Sequence, residues 1–359
     1  MAWLDRGYSR IAVAIPVRDE AARIGSCLIA LDKQTRRPDV VVLMLNNCTD
    51  QTETIARMMG AKLGFRLEVI SRGLPPHQAD AGHARGLAMD AAAEWAGPSG
   101  VLLTSDADAV VPPDWVARNL DALRRGADIV CGQAVIDPIE ATMIPAHLHA
   151  DDALERQLIA LLDDMAWTLD PEPHDPLPRH TEASGASLAV SVAAFGRAGG
   201  IPPIASGEDR AFVRALWMMD AKVRHDPSIE VTVSGRVEGR APGGMADTMR
   251  RRIVRQDEFA DEMAEPASDA FRRYSLRQRA RSAWRGGTDL ALADDLSLSP
   301  AKVAAALSCR YFGGAWALLE AGSPVLRRRP IRFTELPAEI ETARSLLRGL
   351  ATPEILAAD

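Results

Sequence analysis

The sequence has little of what marks a secreted, zinc-binding or nucleic-acid-binding protein. Its four cysteines, Cys27, Cys48, Cys131 and Cys309, are widely scattered and form no C-x-x-C pair. Neither a disulfide framework nor a zinc site is therefore indicated, and a reducing compartment is expected. The formal net charge of -7 argues against a nucleic-acid partner, because proteins that bind nucleic acids are usually basic.

Long hydrophobic runs are also lacking. The longest apolar stretch, from Val303 to Leu319, is interrupted by Arg310 and by two glycines, so it does not indicate a membrane-spanning helix. The first residues of the sequence contain no apolar run of the kind found in secretory signals. We therefore expect a cytoplasmic protein. Ten arginines between Arg250 and Arg285 allow peripheral contact with the inner face of a membrane, or simply a solvated helical surface.

What the sequence does contain is an ordinary globular composition with an α/β pattern. It has 359 residues, 47% hydrophobic and 25% charged, which is enough for one large α/β domain and an appendage. Short apolar runs alternate with stretches of helical spacing, which predicts a mostly parallel sheet covered on both faces. The predicted strands are Ile11–Ile15, Val40–Leu45, Leu67–Ile70, Val101–Thr104, Asp128–Val130 and Ile229–Val233.

Three polar turns follow predicted strands: residues 16–20, 45–50 and 105–108. In open α/β sheets ligands bind beyond the carboxyl ends of the strands, so these turns are expected to form one site. The middle of the chain differs, because a predicted amphipathic helix from Ala150 to Trp167 precedes four prolines between Pro171 and Pro178. We predict a lid at 145–182 and a helical region at 245–359.

Two acidic pairs are candidates for chemistry. Asp106 and Asp108 come directly after a buried strand, where they repel one another unless a cation lies beside them. Mg²⁺ or Mn²⁺ bound to phosphate oxygens is a suitable cation, although solvated acids in a loop remain the alternative. Glu208 and Asp209 precede a helical run, which suits either a helix cap or a general base.

Six segments, in order, resemble the motifs of family 2 glycosyltransferases, which have the GT-A (Rossmann-like) fold. Residues 15–20 resemble the family's "IPxxNE", 46–50 its "D-x-S-T-D", 82–88 its "G-x-A-x-A-x-N" and 106–108 its D-x-D. Residues 184–187 resemble its acceptor-side glycine turn, and 207–209 its "ED" motif. The resemblance covers about residues 10 to 240. It implies a glycosyltransferase domain at 1–244, with a donor-binding half at about 1–135 and an acceptor-side half at 136–244.

The resemblance also implies roles for single residues. The expected nucleotide-sugar-binding residues are Pro16, Val17, Arg18, Glu20, Asn46, Arg85, Asp106 and Ala107. Arg85 would neutralise the diphosphate or hold the aspartates, and a divalent metal, Mn²⁺ or Mg²⁺, would bind Asp106 and Asp108. Asp209 would be the catalytic base of an inverting transfer, with Glu208 positioning the acceptor. The acceptor would be an unknown sugar, a lipid-linked molecule or a small molecule.

Two positions depart from the family pattern. Members that use UDP-sugars usually carry Asp at the place of Leu45, so a GDP-sugar or another nucleotide-sugar stays open as the donor. Ser234 stands where a histidine often completes the metal site, and His225 is a nearby substitute. Arg236 and Arg240 are further candidates to meet diphosphate oxygens in its stead.

Two other functions remain open. A nucleotidyltransferase also places acids beyond parallel strands, but it would be expected to have a glycine-rich loop after the first strand, and residues 16–20 contain no glycine. A catalytically silent nucleotide- or glycan-binding protein of the same fold would have no need of a base at Asp209. The sequence does not indicate the oligomeric state.

Overall fold

The computed structural model of the protein describes residues 8–237, 239, 245–254 and 257–351. Within this part of the chain, seven strands form one sheet in the order β3-β2-β1-β4-β6-β5-β7. They are β1 (Ile11–Val17), β2 (Val40–Asn46), β3 (Arg66–Arg72), β4 (Val101–Thr104), β5 (Ile129–Ile136), β6 (Leu188–Ser191) and β7 (Val223–Val233).

Helices connect the strands and form most of the C-terminal part. Those of the first half are α1 (Ile24–Asp32), α2 (Thr52–Gly60), α3 (Ala81–Ala96), α4 (Trp115–Arg124), α5 (Pro138–Ala141) and α6 (Ala146–Leu169). They are followed by α7 (Val192–Ala198), α8 (Glu208–Trp217), α9 (Met245–Val254), α10 (Ala267–Trp284), α11 (Leu292–Asp295), α12 (Pro300–Leu307), α13 (Phe312–Gly322) and α14 (Leu336–Ala351). No described helix is both long enough and apolar enough to cross a membrane.

The sheet is mostly parallel, as the sequence predicts. β1 pairs in parallel with β2 and β4, β2 with β3, and β5 with β7, whereas β6 runs antiparallel to β4 and β5. Every residue of β2 is buried, and β1 is buried except for Pro16, which explains why both read as apolar runs in the sequence. Five of the six predicted strands lie within observed ones, and the sixth, Asp128–Val130, begins one residue before β5.

Contacts between residues divide the chain into two compact units. Unit 1 contains residues up to 144, 178–217 and 221–254, and unit 2 contains 145–177, 218–220 and the residues from 255 on. Most of the predicted lid, including α6, thus belongs to the same unit as the C-terminal helices. The functional division into a transferase domain at 1–244 and a helical region at 245–359 stays a prediction.

Unit 2 is built around the buried face of α6. Leu158, Leu162 and Met165 of this helix lie in one apolar core with Ala267 of α10 and Ile340 of α14. The sequence predicts the amphipathic helix correctly. It does not predict its partners, because an apolar helix face has the same pattern whichever helices cover it.

Ion pairs occupy several arginines of the basic stretch from Arg250 to Arg285. Four of them donate hydrogen bonds to acidic side chains of unit 2. Arg273 donates to Glu265 and Glu320, and Arg279 donates to Asp289 and Asp295. Arg277 and Arg281 both donate to Asp170 and Glu172. These four arginines therefore hold unit 2 together and are not a free basic surface. Arg255 lies outside the described residues.

Candidate active site

The register of the sheet brings together the turns that follow β1, β2 and β4. Val17 at the end of β1 pairs with Leu45 of β2, and Ala14 of β1 pairs with Thr104 at the end of β4. Hydrogen bonds then join the turns of β1 and β2, because the Asp19 carboxylate accepts from the backbone N–H of Thr49 at 2.6 Å. The first two of the three predicted turns are thus tied together directly.

Two short polar residues permit the sharp turns after β1 and β2. Asp19 and Asn47 have φ angles of 51° and 53°, in the left-handed region of the backbone that residues other than glycine rarely adopt. Aspartate and asparagine tolerate this conformation better than other non-glycine residues, which accounts for their presence at these positions. The turn after β1 directs the chain so that Glu20 becomes buried beside the end of β4.

The loop before α3 is bound by two of the predicted nucleotide-binding residues. Arg18 Nη1 donates to the carbonyl oxygen of Ala79 at 2.7 Å, and Asn46 Nδ2 donates to that of Asp80 at 3.0 Å. Asp80 caps α3 by accepting from the backbone N–H of His83. The buried Oδ1 atom of Asn46 has no hydrogen-bond partner among the residues that the structure describes.

The side chain of Arg85 on α3 joins the D-x-D turn to the start of α8. It donates to Asp106 Oδ1 at 2.7 Å, Glu208 Oε1 at 2.9 Å, Thr104 Oγ1 at 2.8 Å and the Gly185 carbonyl oxygen at 2.9 Å. We refer to Arg85 and these four residues as the Arg85 cluster. The Arg85 side chain is only 5% exposed, so these bonds are made away from bulk water.

Burial and carboxylates have opposite effects on Arg85. Burial lowers the pKa of the guanidinium, whereas Asp106 and Glu208 raise it, and the net shift is upward. Arg85 is therefore a permanent buried cation. Its neighbour Gly185 must lack a side chain, because a Cβ atom there would lie 2.4 Å from Arg85 Cζ.

Asp108 lies in an environment that disfavours its ionised form. Burial and the neighbouring carboxylates of Asp106 and Glu20 raise the pKa of Asp108 to about 6, although Arg236 opposes them. Burial and the carboxylates of Asp108, Asp106 and Glu20 raise the pKa of the Cys27 thiol to about 12, which favours the protonated thiol at neutral pH.

Glu208 and Asp209 begin α8 but face different surroundings. Gly207 precedes them with a φ angle of 75°, which only glycine adopts at little cost. Glu208 is buried against Arg85, so its carboxylate is already paired. Asp209 is partly exposed, and its Oδ2 atom accepts from the backbone N–H of Gly185 at 2.8 Å. Asp209 is thus the acid of this pair that a second molecule could reach.

The remaining predicted residues lie as follows. Val17 and Ala107 are buried, Pro16 is half-buried, and Ala107 packs in the core beneath the D-x-D turn. Ser234 Oγ donates to Glu140 at 3.0 Å. The His225 ring lies 5.5 Å from that of His180. Arg240 lies outside the described residues.

Sequence reasoning missed two contributors to this site. Thr104 accepts a hydrogen bond from Arg85, as does Gly185 of the predicted glycine turn, and Glu140 holds the segment after β7. No local signal marks Glu140, because it acts on residues about ninety positions later in the chain. Thr104 could have been found, since a polar residue ends an otherwise apolar strand.

The carboxylates at the end of β4 suit a divalent cation. One oxygen of Asp106 accepts from Arg85, and one oxygen of Asp108 lies 3.2 Å from Arg236 Nη2. Among the described residues no group of three or more His, Cys, Asp or Glu side chains is arranged to hold a metal ion. One or two carboxylates, completed by phosphate oxygens and water, are a common ligand set for Mg²⁺ in proteins.

The family model of glycosyl transferase family 2 matches residues 12–169. This match spans β1 to β5, the D-x-D turn and α6. Over this region the chain is similar to glycosyl transferase family 2, which supports a glycosyltransferase. The match includes the first four of the six motifs on which the sequence resemblance rests. A search of curated proteins finds no match to the chain.

Solved structures with a similar architecture include three glycosyltransferases. Mannosyltransferase PcManGT from Pyrobaculum calidifontis, in complex with GDP-Man and Mn²⁺, is 16% identical; the alignment covers 98% of this chain and 78% of that one, with a TM-score of 0.44. S. aureus TarS (residues 1–349) in complex with UDP is 15% identical, with coverages of 98% and 94% and a TM-score of 0.48.

The third is glucosyl-3-phosphoglycerate synthase from Mycobacterium tuberculosis, in complex with Mn²⁺, UDP and glucosyl-3-phosphoglycerate. It is 18% identical, with coverages of 69% and 79% and a TM-score of 0.42. All three scores are below 0.5, so the description of the fold rests on the sheet topology and the family match.

Proposed function

We propose that the protein transfers a glycosyl group from a nucleotide-diphosphate sugar to an acceptor hydroxyl, with a divalent metal and with inversion at the anomeric carbon. The observation that carries this proposal is the Arg85 cluster. It ties the D-x-D turn to the first turn of α8, and so holds the expected donor side and acceptor side at a fixed separation. Such positioning is a large part of catalysis when two substrates must meet.

The nucleoside would bind at the turns after β1 and β2. Arg18 and Asn46 already hold the loop that leads into α3, beside the turns where the base would lie. Pro16 and Val17 would contribute mainly backbone, since Val17 is buried. The donor base and sugar stay open.

The metal would bind Asp106 and Asp108, with Mn²⁺ or Mg²⁺ as the expected ion. When bound, it would stabilise negative charge on the leaving nucleoside diphosphate. Arg85 keeps Asp106 oriented, and burial together with the carboxylates of Asp106 and Glu20 raises the pKa of Asp108 in spite of Arg236. Both features support a cation site at the end of β4.

Asp209 would act as the general base. Its carboxylate would take the proton of the acceptor hydroxyl while the acceptor oxygen forms a bond to the anomeric carbon. The bond from that carbon to the diphosphate oxygen breaks, and its electron pair leaves with the diphosphate, so a single displacement inverts the centre. Gly185 N–H orients the base, and Glu208 acts through Arg85 as a positioning residue.

The family match favours glycosyl transfer over nucleotidyl transfer, because it covers the donor half of the chain. We further propose a cytoplasmic protein with a lipid-linked or small-molecule acceptor. Any contact with an anionic membrane surface would involve arginines outside the four that hold unit 2, such as Arg272 and Arg285. This contact can be tested by the binding of the protein to anionic lipid vesicles, which should weaken with added salt.

The test of Asp209 is the release of nucleoside diphosphate from UDP- and GDP-sugars, with water as a poor acceptor. We expect Asp209→Asn to release nucleoside diphosphate roughly 100-fold more slowly than wild type, or slower still, because a general base accelerates a reaction by about that factor. It should keep the thermal stabilisation by nucleotide and Mn²⁺. Asp114→Asn, at an exposed aspartate, is the matched control. Release by Asp209→Asn at the wild-type rate would remove Asp209 from the mechanism.

A further inference from the structure

The charged side chain of Arg236 lies next to the proposed metal ligand Asp108. The Arg236 guanidinium donates to both carboxylate oxygens of Glu20, and the bond from Nη1 measures 2.7 Å. Its Nη2 atom also lies 3.2 Å from Asp108 Oδ2. The Glu20 side chain is 6% exposed and that of Asp108 17%, so solvent compensates little of their charge.

The backbone around Arg236 is anchored from another part of unit 1. Glu140 accepts hydrogen bonds from Ser234 Oγ at 3.0 Å and from the backbone N–H of Gly235 at 2.6 Å. Glu140 is itself bound by Arg23 at 2.7 Å. The backbone of the segment that carries Arg236 is therefore held in place. The long Arg236 side chain can change partners without movement of the sheet.

The carboxylates of Glu20, Asp106 and Asp108 are close in space and repel one another, so positive charge beside them is favourable. In this structure Arg236 supplies such a charge to Glu20 and Asp108. A divalent ion bound to the same Asp108 oxygen would lie close to the guanidinium, and two cations repel one another as two carboxylates do. The divalent ion and the guanidinium therefore cannot both bind this Asp108 oxygen tightly.

We propose that Arg236 is an internal counter-ion that competes with the divalent metal for Asp108. Metal binding then requires the guanidinium to leave Asp108, and the anchored segment keeps it near the diphosphate that arrives with the metal. The inference rests on the proposed metal site at Asp106 and Asp108. It predicts that the protein without nucleotide binds metal weakly because Arg236 is in place.

The test measures Mn²⁺ alone binding to the full chain, by electron paramagnetic resonance of free Mn²⁺. Arg236→Gln removes the competing charge, and we expect it to bind Mn²⁺ about tenfold more tightly than wild type, comparable to the effect of one adjacent charge on a carboxylate. Arg125→Gln makes the same change of net charge at an exposed arginine and should bind as wild type does. Asp108→Asn identifies the binding that depends on this site.

Each outcome has a separate meaning. If wild type binds Mn²⁺ through Asp108 and Arg236→Gln binds equally or more weakly, the metal site stands and the competition is refuted. If neither protein binds Mn²⁺ in a manner that depends on Asp108, the metal site and the competition both fail. Should Arg236→Gln not fold, the double variant Glu20→Gln/Arg236→Gln leaves no buried Glu20 carboxylate without a partner. It should bind Mn²⁺ more tightly than Glu20→Gln, which keeps Arg236 beside Asp108, and equal affinity of these two variants would contradict the proposal.

Discussion

Replacement of Arg85 by methionine should destabilise the protein more than any exposed arginine substitution. The Arg85 side chain is 5% exposed and Glu208 is 6% exposed, so Arg85→Met leaves Glu208 as an unpaired carboxylate away from water. Breaking a buried pair by the removal of one partner costs about 3–5 kcal/mol. Asp106 is 34% exposed and can be solvated, so its lost bond adds little.

The assay is urea unfolding followed by circular dichroism, with the free energy of unfolding obtained by linear extrapolation. A double-mutant cycle with Glu208→Gln isolates the pair, because Arg85→Met/Glu208→Gln leaves no buried charge without a partner. We expect the double variant to be more stable than Arg85→Met alone, although it has lost more hydrogen-bonding groups.

Arg125→Met is the matched control. Arg125 pairs with Asp121 at an exposed site, so its replacement should cost at most about 1 kcal/mol. Arg85→Met within about 1 kcal/mol of wild type would refute the reasoning, because it would mean that Glu208 is solvated or otherwise paired. A double variant less stable than Arg85→Met would contradict the buried-charge explanation.

Two further predictions concern the packing and charge of the same region. Gly82→Ala would place a Cβ atom 1.9 Å from the Ile204 carbonyl oxygen, so we expect a loss of about 1–3 kcal/mol in urea unfolding, whereas Gly196→Ala, where the space is open, should be neutral or slightly stabilising. Asp108→Asn should raise the free energy of unfolding of chelator-treated protein by about 1–3 kcal/mol above pH 6. The pKa of Asp108 is about 6 in the folded protein and 3.8 ordinarily, so folding disfavours the ionised carboxylate that asparagine replaces. The gain should decrease between pH 6 and pH 3.8 and vanish below it, where Asp108 is protonated in both states; a gain that does not depend on pH in melting experiments would contradict this explanation.

The sequence predicts the donor side of the fold well because its signals are local. Apolar runs such as Ile11–Ile15 and Val101–Thr104 are strands that lie deep in the sheet, and the polar turns after them follow directly in the chain. It does not predict the direction of β6, since Leu188–Ser191 is buried on both faces whether it runs parallel or antiparallel.

Contacts between distant residues account for the rest of the site. The bond from Arg236 to Glu20 joins residues 216 positions apart, and neither residue carries a pattern that names the other. Glu208 is a similar case, because the motif predicts an acceptor-side residue but only the fold shows that Arg85 already binds its carboxylate. Such pairings depend on the crossing of strands and helices rather than on local sequence.

The central claim is that the end of β4 forms a metal-dependent nucleotide-sugar site. It is tested most directly by melting temperatures with UDP, GDP, CDP, ADP and dTDP, each with and without Mn²⁺, on wild type, Asp108→Asn and the exposed control Asp114→Asn. We expect one nucleotide to stabilise wild type and Asp114→Asn only with Mn²⁺, by about 2.7 kcal/mol at a hundred times its dissociation constant. Asp108→Asn should lose this shift. No shift with any nucleotide, or an equal shift in Asp108→Asn, would contradict the account.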